Sequence, residues 1–270
     1  MRTRPLVIEN ARIIDPSRNL DEVGAIIVRD GVVAACGRDA LNAGHPDGAD
    51  VIDARGLLAM PGLVDARVFI GEPGFEHRET IHSVGEAAAA GGVTSILTMP
   101  DTNPVIDEVA LAQFVMRTAR ETCAVNVFPS AALTRGLLGQ EMSEIGILTE
   151  AGVHTFTEGR RTLSNPALIR RIMTYVRDFD ALFCHETQDE ALTGSGVMNE
   201  GLLASWLGLP GIPREAETIP LERDLRLAAL TGVRYHAAQL SCGLSVDAMR
   251  LAKDKGCLLY TSDAADDSLR

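Results

Sequence analysis

The chain begins with short apolar runs separated by turn residues. Leu6-Val-Ile8, Ala11-Arg-Ile-Ile14, Gly24-Ala-Ile-Ile-Val28, Val32-Val-Ala-Ala35 and Asp50-Val-Ile-Asp53 are too short for packed helices and rich in β-branched residues, so they predict strands. Asp30-Gly31 between two such runs is a hairpin signal, and Pro16-Ser-Arg-Asn19 is a turn. Residues 1–57 therefore read as a β unit.

After Pro61 the period changes. Apolar runs at 63–70, 93–99, 124–128, 154–157, 181–185 and 234–240 predict strands. Segments with helical spacing lie between or after them, at 79–90, 108–121, 141–151, 166–179, 221–230 and 246–255. Six strand–helix units over 58–256 predict an α/β fold whose parallel sheet closes as a barrel or stays open and doubly wound. The stretch from about 187 to 218, rich in Gly and Pro, reads as a long lid or interaction loop. Residues 257–270 show no strand–helix pattern. They read as an atypical acidic tail, with Asp263 to Asp267 a solvated cluster, and as a truncated or frame-shifted end.

Composition narrows the class. An apolar share of 46% with 4% aromatics suits an aliphatic α/β core, and a net charge of −12 argues against nucleic acid or an anionic membrane as partner. The five cysteines have no CxxC spacing and read as buried thiols in a reducing compartment; with no leader-like or membrane-spanning apolar run, a cytoplasmic location is expected.

Candidate chemistry concentrates at Pro61-Gly-Leu-Val-Asp65-Ala-Arg67-Val-Phe69-Ile-Gly71. Residues 67 and 69 of a strand point the same way. Neither side chain can bind a metal, because guanidinium keeps its proton and phenyl has no donor atom. Cys184 beside His185 does not make a nucleophile–base pair, since strand neighbours point apart.

Met60-Pro-Gly-Leu-Val-Asp65, Glu72-Pro-Gly-Phe-Glu-His77, Ala87-Ala-Ala-Ala-Gly-Gly92 and Met99-Pro-Asp-Thr-Asn-Pro104 resemble the class I dihydroorotases of the amidohydrolase superfamily. Ala131-Ala-Leu-Thr134, Gly196-Val-Met-Asn-Glu-Gly201, Gly211-Ile-Pro-Arg-Glu-Ala-Glu217 and Arg234-Tyr-His-Ala-Ala-Gln239 extend the resemblance to about residue 256. It implies a TIM-type barrel, here ending after about six units, behind a small N-terminal β-sandwich. In the family a zinc site at the barrel mouth activates water for attack on the cyclic amide of dihydroorotate.

Position by position, the resemblance departs from that chemistry. The metal positions hold Arg67, Phe69, Glu158, His185 and Gln239, with Glu186 competing with His185 for the fifth-strand place. The substrate-contacting positions hold Gly71, Asp101 and Asn103, where Gly71 replaces an arginine and Asp101 an asparagine. Glu158 and Asp65 stand at the catalytic positions. His236 reads as a packed histidine, and Arg67 is expected either to neutralise Asp65 and Glu158 or to turn to solvent.

No cofactor is expected in this chain, although the family uses zinc. The resulting expectation is a catalytically defective dihydroorotase homologue of pyrimidine biosynthesis that serves as a structural partner of aspartate carbamoyltransferase, a homo-oligomer being left open. The alternative is an active zinc-dependent cyclic amidohydrolase acting on dihydroorotate or a related ureide such as allantoin.

Overall fold

The computed structural model describes residues 4–42 and 44–262. The chain divides into two compact units, Met1–Leu63 and Val64–Arg270. The acidic cluster expected at 263–267 lies outside the described residues.

In the first unit β1 (Leu6–Asp15), β2 (Leu20–Arg29), β3 (Val32–Gly37), β4 (Asp50–Asp53) and β5 (Leu58–Ala59) form one mixed sheet, with α1 (Arg38–Asn42) after β3. Two predicted strands merge into β1. Its register against β2 shifts between Ile8 and Ala11, where Asn10 takes φ 63°, so a bulge rather than a turn absorbs the polar pair Glu9-Asn10. Asp30 and Gly31 both have positive φ, 50° and 76°, the twist a two-residue hairpin needs. Val7, Ala25 and Ile27 pack against Ala40 of α1.

The second unit alternates strand and helix. Its elements are β6 (Leu63–Val68), α2 (Ile81–Ala90), β7 (Val93–Thr98), α3 (Val109–Thr122), β8 (Asn126–Ala132), α4 (Ile145–Glu150), β9 (Thr155–Thr157), α5 (Pro166–Asp178) and β10 (Leu182–Glu186). A segment with α6 (Glu190–Thr193), β11 (Met198–Asn199), α7 (Leu202–Leu207) and β12 (Gly211–Ile212) follows. Then come α8 (Glu215–Thr231), β13 (Arg234–Ala238), α9 (Gly243–Asp254) and β14 (Leu259–Ser262). The main sheet has seven strands in the order β14-β13-β10-β9-β8-β7-β6 and curls as part of a parallel barrel.

Local chemistry explains the element ends. Thr80 caps α2 and exchanges bonds with Ser83 in a capping box; Asn165 caps α5 with Pro166 in its first turn. Along α5 the buried residues Leu168, Ile169, Ile172, Met173 and Val176 form one stripe. α8 starts six residues earlier than the pattern predicts and runs through Pro220. Proline cannot donate to the carbonyl four residues back, and that carbonyl, of Ala216, instead accepts the Asp189 amide at 2.7 Å. α4 starts later than predicted, because Met142 bridges Thr134 and the Ser143 amide bonds the Leu133 carbonyl at 3.1 Å.

The expectation that nothing after 256 continues the pattern needs correction. β14 pairs parallel with β13, from Tyr235 with Leu259 to Ala238 with Ser262, so the sheet has a seventh strand. Leu258-Leu259-Tyr260-Thr261 is a strand-like run that the adjoining acidic residues obscured. The predicted long loop carries its own short elements, with β11 and β12 paired parallel. Among the described residues no helix is long and apolar enough to cross a membrane.

Candidate functional site

Alternation along the strands sorts the barrel's polar residues onto two faces. Phe156, Phe183 and Tyr235 are fully buried in the main core cluster, with Phe183 and Tyr235 stacked at 6.0 Å. Their strand neighbours face the other way, into the concave side, where Arg67, Thr157, Cys184, Glu186 and His236 influence one another.

Arg67 forms a short ion pair with Glu186, both side chains about six-sevenths buried (13% and 14% exposed). The same nitrogen also reaches the Gly159 carbonyl at 3.5 Å, whereas Arg67 Nη1 is buried with no hydrogen-bond partner among the described residues. β6 and β10 are separated in the sheet by β7, β8 and β9, so the pair spans the curl from first strand to fifth. This corrects the expected partners of Arg67. Asp65 is exposed and, among the described residues, accepts only the Arg67 backbone amide, at 3.0 Å. Glu158, 1% exposed, is held by the Thr134 hydroxyl and by the Thr134 amide at 3.1 Å. Burial raises the Glu158 pKa above its ordinary value, against the opposing effects of these bonds, His185 and Arg161.

His185 stands on the opposite face. It is fully buried, donates from Nδ1 to Asp224 Oδ2 at 2.5 Å, and accepts the Leu163 amide at Nε2 at 2.8 Å. Tyr235 and Arg223 also donate to Asp224, at 3.2 and 2.9 Å. Both ring nitrogens are thus committed, and the inward positions of β10 are Cys184 and Glu186. The expected choice between His185 and Glu186 is resolved by facing: Glu186 points into the mouth, but toward a guanidinium. Sequence reading missed Asp224, although a carboxylate on the buried stripe of α8 with Leu221, Leu225 and Ala228 was a usable signal.

The remaining positions are dispersed. Gln239 follows β13 with φ 55°, exposed, and shares a cavity of about 280 Å³ with Glu186, Asn199 of β11 and Ile212 of β12. Asn103 is exposed, its backbone close against Gly74, where a Cβ would lie 2.0 Å from the Asn103 carbonyl oxygen. Gly71 is buried with φ 79°. Asp101 lines a second cavity of about 250 Å³ with Phe69, Phe75, Arg78, Leu137, Glu158, Arg160 and Arg161.

Do these residues fit a zinc ion? Arg67 and Phe69 offer no lone pair, and Glu186 is neutralised by Arg67. Burial pushes the Cys184 thiol up to about 11, so it stays protonated. Among the described residues no three His, Cys, Asp or Glu side chains converge as metal ligands. The side chains present do not fit the metal.

His236, 8% exposed, is held neutral: burial first, then Arg67, lowers its pKa from 6.5 to about 4. A depressed folded value stabilises above the unfolded pKa and is lost as pH falls toward the folded one. Stability should therefore drop between pH 6.5 and 4 by up to about 3 kcal/mol from this residue. His236→Leu should flatten that decline in urea unfolding measured at both pH values. An unchanged pH dependence would count against a buried neutral imidazole.

Comparisons with known proteins agree with this architecture. A family model described as dihydro-orotase-like matches residues 56–245. The dihydroorotase of Pelobacter propionicus is 44% identical over 251 residues, covering 93% of this chain and 58% of that protein. The dihydroorotase of Solibacter usitatus is 40% identical over 252 residues with the same coverage. The chain thus spans 58% of the length of these curated relatives. Among solved structures, the L-hydantoinase of Arthrobacter aurescens superposes with a TM-score of 0.79 at 21% identity, over 97% of this chain and 58% of that one. A D-hydantoinase from Thermus sp. gives 0.67 at 19%, over 96% and 57%. At such identities the likeness is one of fold.

Proposed function

From the premise that the chain belongs to the dihydro-orotase-like family, we propose that it is a catalytically defective member, tied to pyrimidine biosynthesis through its relatives. The observation that carries this reading is the Arg67–Glu186 ion pair across the barrel mouth. A permanently charged guanidinium occupies the strand position where a neutral ligand would be needed. The one inward carboxylate of β10 is spent on it. Zinc-activated water needs several fixed ligands and an open coordination position, and no cluster of three potential ligands is found among the described residues.

The proposed role is structural, as a partner of aspartate carbamoyltransferase. The intact strand–helix scaffold around a mouth whose charges are paired with each other supports a structural role. A second reading, an active cyclic amidohydrolase acting on dihydroorotate or allantoin, draws on Glu158. This buried carboxyl with a raised pKa lines a solvent-connected cavity and could hold or deliver a proton.

One set of measurements separates the two. Purified chain supplied with zinc should show no turnover of dihydroorotate or allantoin, and should co-elute with aspartate carbamoyltransferase of the same organism on size exclusion. Turnover abolished by a chelator would establish the second reading. Separate elution would remove the partner from the first.

A further inference from the structure

The 250 Å³ cavity beside Asp101 is more than a vacated site, because its replaced residues support one another. The Arg160 guanidinium lies over the Phe69 ring, 5.5 Å from its centroid, while Arg160 Nε and Nη2 each bond Asp101 Oδ2 at 3.1 Å. Phe69, Asp101 and Arg160 therefore form one contact set. Phe69 and Asp101 are among the positions where this chain departs from the family pattern. Arg78 lies over Phe75 at the same 5.5 Å and makes no ion pair among the described residues. Arg161 donates Nη1 to the Leu137 carbonyl at 2.5 Å, which orients the rest of its fork.

A guanidinium resting on a ring face has lost part of its rotamer freedom before any ligand arrives, so an incoming anion needs to order less. Two such groups, Arg78 and Arg160, border one cavity together with the carbonyl-held Arg161, in a chain whose net charge is −12. Two carboxyl groups oppose them. Asp101 already has a guanidinium partner, and burial disfavours the ionised form of Glu158. The local balance is positive.

We infer that this cavity binds a small oxyanion, gripped by Arg78, Arg160 and Arg161 without a metal, with the apolar part of the ligand against Phe69 and Phe75. The inference goes beyond the loss of hydrolysis proposed above and does not depend on it. A carboxylate and a phosphate ester share the required chemistry, and the test distinguishes them.

Titration calorimetry of the full chain in excess chelator would use benzoate, inorganic phosphate and the cation benzylamine as probes. Benzoate or phosphate should bind at least tenfold more tightly than benzylamine. Stronger benzoate than phosphate points to a carboxylate with a flat body, and the reverse to a phosphoryl group. Arg78→Ala and Arg160→Ala should each weaken the anion about tenfold or more, while Arg226→Ala on the exposed side of α8 should not. Circular dichroism of each variant would show that the fold is kept. Benzylamine binding as tightly as either anion, no anion binding, or binding indifferent to Arg78 and Arg160 would overturn the inference. Zinc-dependent turnover in the separate assay would overturn the proposed function and leave chelator-resistant anion binding untouched.

Discussion

Arg67→Met should lower the thermal unfolding midpoint by about 6–12 °C, and adding Glu186→Leu should restore most of the loss. The single change leaves Glu186, 14% exposed, without its counter-charge in the barrel interior. An uncompensated buried charge costs roughly 3 kcal/mol or more, and a domain of this size moves by about 2–4 °C per kcal/mol. The double change removes the stranded charge along with the pair, and apolar replacements of buried pairs are often neutral or better. Calorimetry or fluorescence melts of wild type, both single variants and the double variant would give the coupling directly. Additive single effects would mean that the two groups do not depend on each other, and the proposal of a defective site would lose its main support.

Asp224→Leu should have an effect at least as large, about 3–5 kcal/mol in urea unfolding. Asp224 has no exposed surface and is the shared acceptor for His185, Tyr235 and Arg223. Removing it strands three donors at once, one of them a guanidinium that is 23% exposed. Asp224→Asn, which keeps one acceptor oxygen, should cost clearly less. Equal losses for the two variants would show that the carboxylate's charge matters at this site, not a retained acceptor oxygen. The result also bears on His185: a histidine whose ring is clamped between a carboxylate and the Leu163 amide is a structural residue of the β10–α8 contact.

The sequence made the strand–helix rhythm legible because buried parallel strands read as compact apolar runs, as in Val93-Thr-Ser-Ile-Leu-Thr98. It also showed Arg67 and Phe69 as non-ligands, since that judgement needs only the chemistry of the side chains. What it could not fix was facing. A one-residue uncertainty in β10 exchanges Cys184 and Glu186 for His185, and a strand's two faces differ completely in environment. The Arg67–Glu186 pair joins residues 119 apart and depends on the curl of the sheet, so no local spacing encodes it. The support of Arg160 by Phe69 and Asp101 is likewise tertiary. Asp224 was accessible in principle, as a charged residue where α8 otherwise turns aliphatic side chains inward.

The ion pair across the mouth also shapes which sequences lie one step away. A lone substitution placing histidine at 67 would abandon Glu186 in the interior, and a lone neutral residue at 186 would abandon Arg67. Each step crosses a stability deficit of about 3 kcal/mol, a large part of what a domain typically possesses. Gln239 adds a further obstacle, because its left-handed backbone takes it out of the alternation that aims β13 side chains inward. Mutual neutralisation thus acts as a lock: neither position can be exchanged for a neutral side chain by a single change without leaving the other charge unpaired.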